Sequence, residues 1–375
     1  MKAEEVLKEI IAENPDLVEN QGDDLEDVAP EDGVSEYLEH KSLDIRSTTV
    51  EEYRNKLEYF LEFCEMRGVE VLSEVTVRQL TQYRHWRRKD SHDRESPLSP
   101  KTMRDEMYLL RSFVKFLEDI EAVRTGLHER IDPPVLAEGE GVRDVDISDS
   151  RVKKILEYLS NYKYATADHV VWAFHAHTGR RPGGLHSLDL KDLHLEGDNP
   201  YLVFRHRPDE TSLKNGKQGE REVVIDKDVA EIFRDYIEHY RVDSVSPSGR
   251  RPFLTSSKGR LSKSTMRKYI YRWSRPCEIG VGCPHDKNPK SCEAAQSIDQ
   301  ASKCPSSRPP YALRHGYISQ MRQQGLRVGT LSARCDVSEA VIEKHYDERT
   351  PEQRRKFRRR QLEQLSQDLD EGGYL

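Results

Sequence analysis

No apolar run in this sequence approaches the length of a membrane span, and no signal peptide opens it. A membrane partner is therefore not expected, and the cytoplasm is the default compartment. Hydrophobic residues stop at 35% while charged ones reach 34%, the balance of a soluble chain. At 375 residues there is length for two domains, each with its own core. An excess of basic charge is also missing: the net charge is −7, which taken alone argues against a nucleic-acid partner. The distribution reverses that inference. Residues 1 to 32 hold twelve acidic and two basic side chains, a local −10, which leaves +3 for the remainder. In that remainder the basic residues cluster, as Arg84-His85-Trp86-Arg87-Arg88-Lys89, Arg180-Arg181 and Arg354 to Arg360. Clustering, not the total, makes a surface for phosphates.

Residues 1–33 join a short amphipathic pattern (Val6, Ile10, Ile11) to the acidic run Asp23 to Asp32, and read as a flexible acidic tail. Residues 34–120 read as helical throughout. Tyr53, Leu57, Phe60, Leu61 and Cys64 mark one face of a helix that starts near Thr48 or Thr49 and stops at Gly68. Thr76 can cap a short helix bearing Val77, Leu80 and Tyr83. After the polar loop Ser91 to Pro100, Met103, Met107, Leu110, Phe113, Val114 and Leu117 line a third. Residues 121–146, with Pro133, Pro134, Gly139 and Gly141, read as a linker that would let two domains close around a duplex.

The second domain, residues 147–375, opens on a helix with Val152, Ile155, Leu156 and Leu159 inward. Another carries Val171, Phe174 and Ala176 and is broken at Thr178-Gly179, ahead of Pro182-Gly183-Gly184, a poor helix start. Tyr201 to His206 and Glu222 to Ile225 have strand character, around a polar loop with the turn signal Asn215-Gly216. Helical patterns follow at Val229, Ile232, Phe233 and Tyr236, then at Met266, Ile270 and Trp273. The fold expected is mainly α with a small β-sheet.

Three helical patterns close the chain. Leu313, Ile318 and Met321 place a helix over Tyr311 to Gln324, ended by Gly325; a second carries Leu331; a third runs from Ser338 with Val341, Ile342 and Tyr346 on one face. This block resembles the C-terminal signature of the tyrosine recombinases, the integrase family, in which a His-x-x-Arg box precedes a nucleophilic tyrosine. Arg314 falls on the box arginine and Tyr346 on the nucleophile. Upstream, Thr178-Gly179-Arg180-Arg181 resembles the family's Thr-Gly-x-Arg-x-x-Glu-Leu box, with Arg181 on its arginine and Leu185 on its leucine. Arg221-Glu222-Val223-Val224-Ile225 is similar to the strand after the catalytic lysine, without its proline. That lysine would be Lys214, with Lys217 the alternative.

The resemblance implies a helical core-binding (SAM-like) domain and an integrase-type catalytic domain acting on double-stranded DNA. Arg84, Arg87, Arg88, Lys101 and Arg104 in the first, and Arg267 and Lys268 in the second, would contact phosphates. Three positions depart from the family. Tyr311 replaces the box histidine, and Gly184 stands where a glutamate usually buttresses the first arginine. The His or Trp expected shortly before the nucleophile has no match; Cys335 and Asp336 lie nearest, and His315 or His345 could stand in for it.

Cutting a phosphodiester without metal or water needs an in-line nucleophile, charge on the non-bridging oxygens' side, and a proton for the departing 5' oxygen. Arg181 and Arg314 offer bidentate forks, Lys214 a general acid, and Tyr346 a nucleophile whose phosphotyrosine conserves the bond for rejoining. No cofactor is needed for catalysis. The implied activity is site-specific recombination through a covalent 3'-phosphotyrosine, by a protein that assembles into a synaptic tetramer on DNA. Two other readings stay open: a DNA-binding protein of this fold with an impaired site, and a type IB-like topoisomerase.

Four of the six cysteines, Cys277, Cys283, Cys292 and Cys304, fall in one polar stretch with His285 beside them. No Cys-x-x-Cys pair occurs among them. In a cytoplasmic chain such a cluster reads as a metal site before a disulfide framework, and four thiolates suit a closed structural zinc. Free thiols and redox disulfides are the other readings.

Overall fold

The computed structural model describes residues 25–91, 97–137 and 146–346, with isolated positions 352, 355, 359 and 363 beyond. The acidic residues before 25 and most of the basic run Arg354 to Arg360 lie outside the described residues, as does the side chain of His345. The chain divides into two compact units at residues 143 and 144.

The first unit is built of α1 (Pro30–Ser42), α2 (Ser47–Arg67), α3 (Val77–Lys89) and α4 (Pro100–Asp119). Local chemistry fixes their ends. Gly68, at φ 65°, takes the left-handed position that closes α2. Thr76 and Gln79 form a reciprocal capping box on α3, and the Ser99 hydroxyl accepts from the Thr102 N–H at the start of α4. Tyr37, Phe60, Phe63, Tyr83 and Phe113 pack edge to face in the core.

Two expected boundaries move. The acidic tail does not reach residue 33: α1 begins at Pro30, and Gly33 is pressed against Leu72 so closely that a Cβ would stand 2.5 Å from its Cδ1. The linker does not start at residue 121 either. Ala122, Val123, Leu127 and Ile131 are buried in the first core, and Arg111 on α4 donates to the Ile131 carbonyl at 2.9 Å.

The second unit has at its centre α6 (Ala167–Thr178), buried nearly all round, against which α5 (Asp149–Tyr162) packs. After the single turn and a half of α7 (Pro182–Ser187) comes an antiparallel sheet in the order β1 (Leu193–His194), β2 (Tyr201–Phe204), β3 (Arg221–Val224), with Leu202 opposite Val223. Helix α8 (Lys227–His239), the ribbon β4 (Thr255–Ser256) and β5 (Gly259–Arg260), and α9 (Lys263–Trp273) follow. A polar excursion with the short α10 (Glu293–Gln296) leads to α11 (Pro310–Gln324), α12 (Val328–Cys335) and α13 (Glu339–Tyr346). Helices α8, α9 and α11 all lie against α6. Tyr317, Ile318, Leu331, Cys335, Ile342 and Tyr346 form the small core that ties α11, α12 and α13 together. The architecture is mainly helical with a small sheet. Among the described residues no helix is long and apolar enough to cross a membrane.

Candidate active site

The site is assembled where α6 stops. Gly179 closes that helix at φ 61°, and a Cβ there would lie 2.3 Å from the Tyr317 ring, so both conformation and space require glycine. Its carbonyl accepts from Arg314 Nη1 at 2.9 Å. Arg314, one turn into α11 and only 5% exposed, also donates to the carbonyls of Cys335 and Asp336. Arg181 caps α7 and donates to the same Asp336 carbonyl at 2.5 Å and to its carboxylate at 3.3 Å. Two arginines far apart in sequence thus meet at one peptide group. Burial, and then the charge of Arg181, lowers the pKa of Arg314. A phosphodiester entering here would relieve that repulsion.

Asp336 is the hub the sequence reading named but gave no role. It takes the left-handed conformation after α12, at φ 56°, which aspartate tolerates better than most residues. Its carboxylate also accepts from Asn215 Nδ2 at 2.9 Å and Arg221 Nη2 at 3.3 Å. Gly184 is closely packed. A Cβ on Gly184 would meet the Phe204 ring at 3.3 Å and Arg180 Nε at 3.4 Å, so a side chain there would press on both. The carboxylate beside Arg181 is that of Asp336. The start of α7 is a regular one after all, because proline at its first position loses no intrahelical bond.

The neighbouring arginines have different fates. Arg180 is 2% exposed, lies 3.8 Å over the Phe204 ring and donates to the carbonyls of Arg334 and Gly219. Burial lowers it to about 10, which leaves it charged at neutral pH. Arg181 keeps 32% of its side chain in solvent. Arg180 holds the fold, and Arg181 faces the site.

Tyr346, buried at the end of α13, has its ring 4.8 Å from that of His315, which in turn lies 6.0 Å from Tyr311. Its hydroxyl is pushed up to about 12, first by burial and then by the adjoining Tyr311, while Arg314 opposes the shift. Of the two histidines considered, His315 is therefore the one seen beside the phenol. Cys335 is buried in the small core, with its thiol pushed up to about 11 by burial, and it packs rather than reacts. Lys214 and Lys217 are exposed in the loop between β2 and β3, and Asn215, next to Lys214, carries that loop to Asp336.

The expected DNA contacts need one correction. Arg87 is 2% exposed, pairs with Glu106 at 2.8 Å, donates to Ser91 and stacks 3.5 Å from the Tyr59 ring centroid. It points into the bundle because Glu106 sits on the buried face of α4. Arg84 is half-buried and Arg88 exposed, one turn apart on α3. At the start of α4, Lys101 is exposed and Arg104 pairs with Asp105. On α9, Arg267 is exposed while Lys268 pairs with Asp299. Sequence reasoning missed Asn215 and Arg221 as neighbours of the site, and no local signal could have joined either to Asp336.

A helical unit followed by a helical unit with a three-stranded sheet is the arrangement of the integrase fold. The chain is similar to the Tn1549 transposon integrase in complex with transposon right end DNA, at 15% identity and TM-score 0.60, covering 90% of this chain and 100% of that one. It is similar to a lambda integrase dimer bound to a COC' core site, at 13% identity and TM-score 0.58, over 92% of this chain and 87% of that one. XerH site-specific recombinase in a post-cleavage complex on palindromic difH substrate gives 13% identity and TM-score 0.57, over 80% and 77%. This chain has the fold of the tyrosine recombinases. A scan against protein-family models and a search of curated proteins each find no match.

Proposed function

We propose that this protein is a site-specific recombinase that cleaves and rejoins double-stranded DNA through a covalent 3'-phosphotyrosine. The observation that carries this reading is the meeting of Arg181 and Arg314 at the Asp336 carbonyl, with the Tyr346 ring packed against His315 one residue on from Arg314. The two guanidinium groups take the non-bridging oxygens of the scissile phosphate. Tyr346 Oη attacks phosphorus, a new P–O bond forms, and the bond to the 5' oxygen breaks. A phenol pushed up to about 12 is neutral at working pH, so its proton must leave during attack, and the adjacent His315 imidazole receives it. Lys214 protonates the departing 5' oxygen. Tyr311 donates a hydrogen bond to phosphate in the place of the family's histidine. The reaction reverses when another 5' hydroxyl attacks the phosphotyrosine, which is the rejoining step.

The comparison structures of Tn1549 integrase, lambda integrase and XerH each hold DNA, which supports a duplex as partner. In this reading Arg84, Arg88, Lys101, Arg104, Arg267 and Lys268 contact phosphates, the protein assembles as a synaptic tetramer, and it works in the cytoplasm. The test is a nicked suicide substrate. Wild-type protein should trap it covalently, and Tyr346→Phe should bind it and form no adduct. An adduct with the phenylalanine variant would reject the assignment and turn attention to Tyr311 or Tyr317. No adduct from wild-type protein would favour the binding-only reading. Relaxation of supercoils without exchange between two sites would favour a topoisomerase.

A further inference from the structure

Between α9 and α11 the chain leaves the helical core for a long polar excursion. From Pro276 to Ser306 only Ala294 and Ala301 are buried. Regular structure there amounts to α10 and the 3-10 turns Pro276–Ile279 and Ile298–Lys303. Burying two methyl groups contributes only about 2 kcal/mol, whereas ordering each residue costs at least about 1 kcal/mol. Apolar burial does not hold this segment in place. Two of its ion pairs, Lys303 with Glu293 and Lys268 with Asp299, are well exposed and add little, and the pairs of Glu278 with Arg272 and Arg275 secure only its first turn.

What the excursion does have is sulfur. Cys277, Cys283, Cys292 and Cys304 are free, half-buried, and line a single cavity of about 60 Å³. A volume so small suits an ion and not an organic ligand. The four thiols come from the first 3-10 turn, the loop after it, the residue capping α10, and the end of the second 3-10 turn. One ion bound to all four would cross-link every part of the segment. His285 also lines the cavity, but its Nε2 is 2.9 Å from Ser306 Oγ.

We propose that this cavity binds one zinc ion through the thiolates of Cys277, Cys283, Cys292 and Cys304, and that the metal is structural. Four soft, anionic donors favour zinc in a closed tetrahedral site, and binding releases the four thiol protons. Among the described residues, three ligating atoms within 4.8 Å of one another occur only at Asp235, Glu238 and His239, on the solvated side of α8. The four sulfurs must therefore draw inward on metal. The ends of the excursion are already clipped together: the Arg308 N–H donates to Ser274 Oγ at 2.7 Å, and Arg151 reaches the carbonyls of both Ser274 and Ser306. Zinc would order the segment between those clipped ends, next to the start of α11 with Tyr311 and Arg314, and so steady that approach to the site. Only this link to cleavage rests on the recombinase reading; the metal site does not.

The full chain, purified without chelator, should contain one zinc by elemental analysis. Cobalt exchanged into it should show thiolate-to-metal charge transfer and tetrahedral visible bands. Cys292→Ser should weaken retention against a chelator by more than the roughly 10–100-fold typical of losing an outer-shell partner. His285→Ala should keep its zinc. Reduced protein that takes up neither zinc nor cobalt would overturn the proposal, as would two disulfides found by mass spectrometry of the native chain. The cobalt titration uses the wild-type chain, so a Cys292→Ser variant that fails to fold does not blunt the test.

Discussion

Replacing Arg314 with alanine should damage the protein in two separable ways, and comparison with Arg181→Ala separates them. Arg314 is 5% exposed and donates to the carbonyls of Gly179, Cys335 and Asp336. The Asp336 carbonyl keeps Arg181 as a donor, so truncation orphans two buried carbonyls, those of Gly179 and Cys335. A hydrogen bond from a charged donor is worth about 1.5–3 kcal/mol, so the loss of two is roughly 3–6 kcal/mol. For a unit of this size each kcal/mol moves Tm by about 2–4 °C, which makes the fall roughly 6–24 °C. Arg181 is 32% exposed, and if it is removed the Asp336 carboxylate still has Asn215 and Arg221. Arg181→Ala should therefore cost about 1 kcal/mol or less. Both variants should nevertheless slow cleavage by about a hundredfold or more, the usual effect of losing one charge-stabilising donor. Thermal unfolding gives the first quantity, and single-turnover cleavage of a suicide substrate below both melting temperatures gives the second. Equal Tm values for the two variants would refute the assigned carbonyl bonds. Equal losses of DNA affinity and cleavage would make the arginines ordinary phosphate contacts.

Two further outcomes follow from burial. Arg87→Ala leaves the Glu106 carboxylate buried without its guanidinium, a change that costs about 3–5 kcal/mol, whereas Arg88→Ala should leave Tm unchanged. In DNA-binding titrations Arg88→Ala should reduce the salt slope by about one; the opposite assignment of these effects would put Arg87 at the surface. Burial also lowers His169 and His175 to about 4. Below about pH 6.5 the unfolded chain takes up protons that the folded one does not, so stability is full above that pH and falls as pH drops. By pH 5 the loss should reach up to about 2 kcal/mol per histidine, visible as a declining Tm before the carboxylates titrate. A flat Tm from pH 7 to 5 would contradict the burial of these two rings.

What the sequence determined by itself is what neighbouring residues decide. Gly68 and Gly325 end helices because a left-handed residue satisfies the last carbonyls, and Thr76 and Ser99 start them by reaching a backbone N–H three residues on. The apolar faces of α2 and α4 follow from helical spacing, and the Arg181, Arg314 and Tyr346 positions were legible as motifs. The tertiary structure alone decided which charges are buried in the fold and which stay accessible. Arg87 looks like any member of a basic run until Glu106, a helix away, turns it inward. Arg180 and Arg181 are indistinguishable as letters, yet Phe204 and two carbonyls claim the first and leave the second facing Arg314. The tract after residue 120 is polar enough to read as a linker, but its four scattered apolar residues find a core already formed by α4. Asp336 is the clearest instance. Its role depends on side chains from residues 181, 215 and 221, all more than a hundred positions away, and periodicity carries no information across such distances. Charge pairing of that kind is fixed by where the topology returns the chain, after helix caps and apolar faces have done their local work.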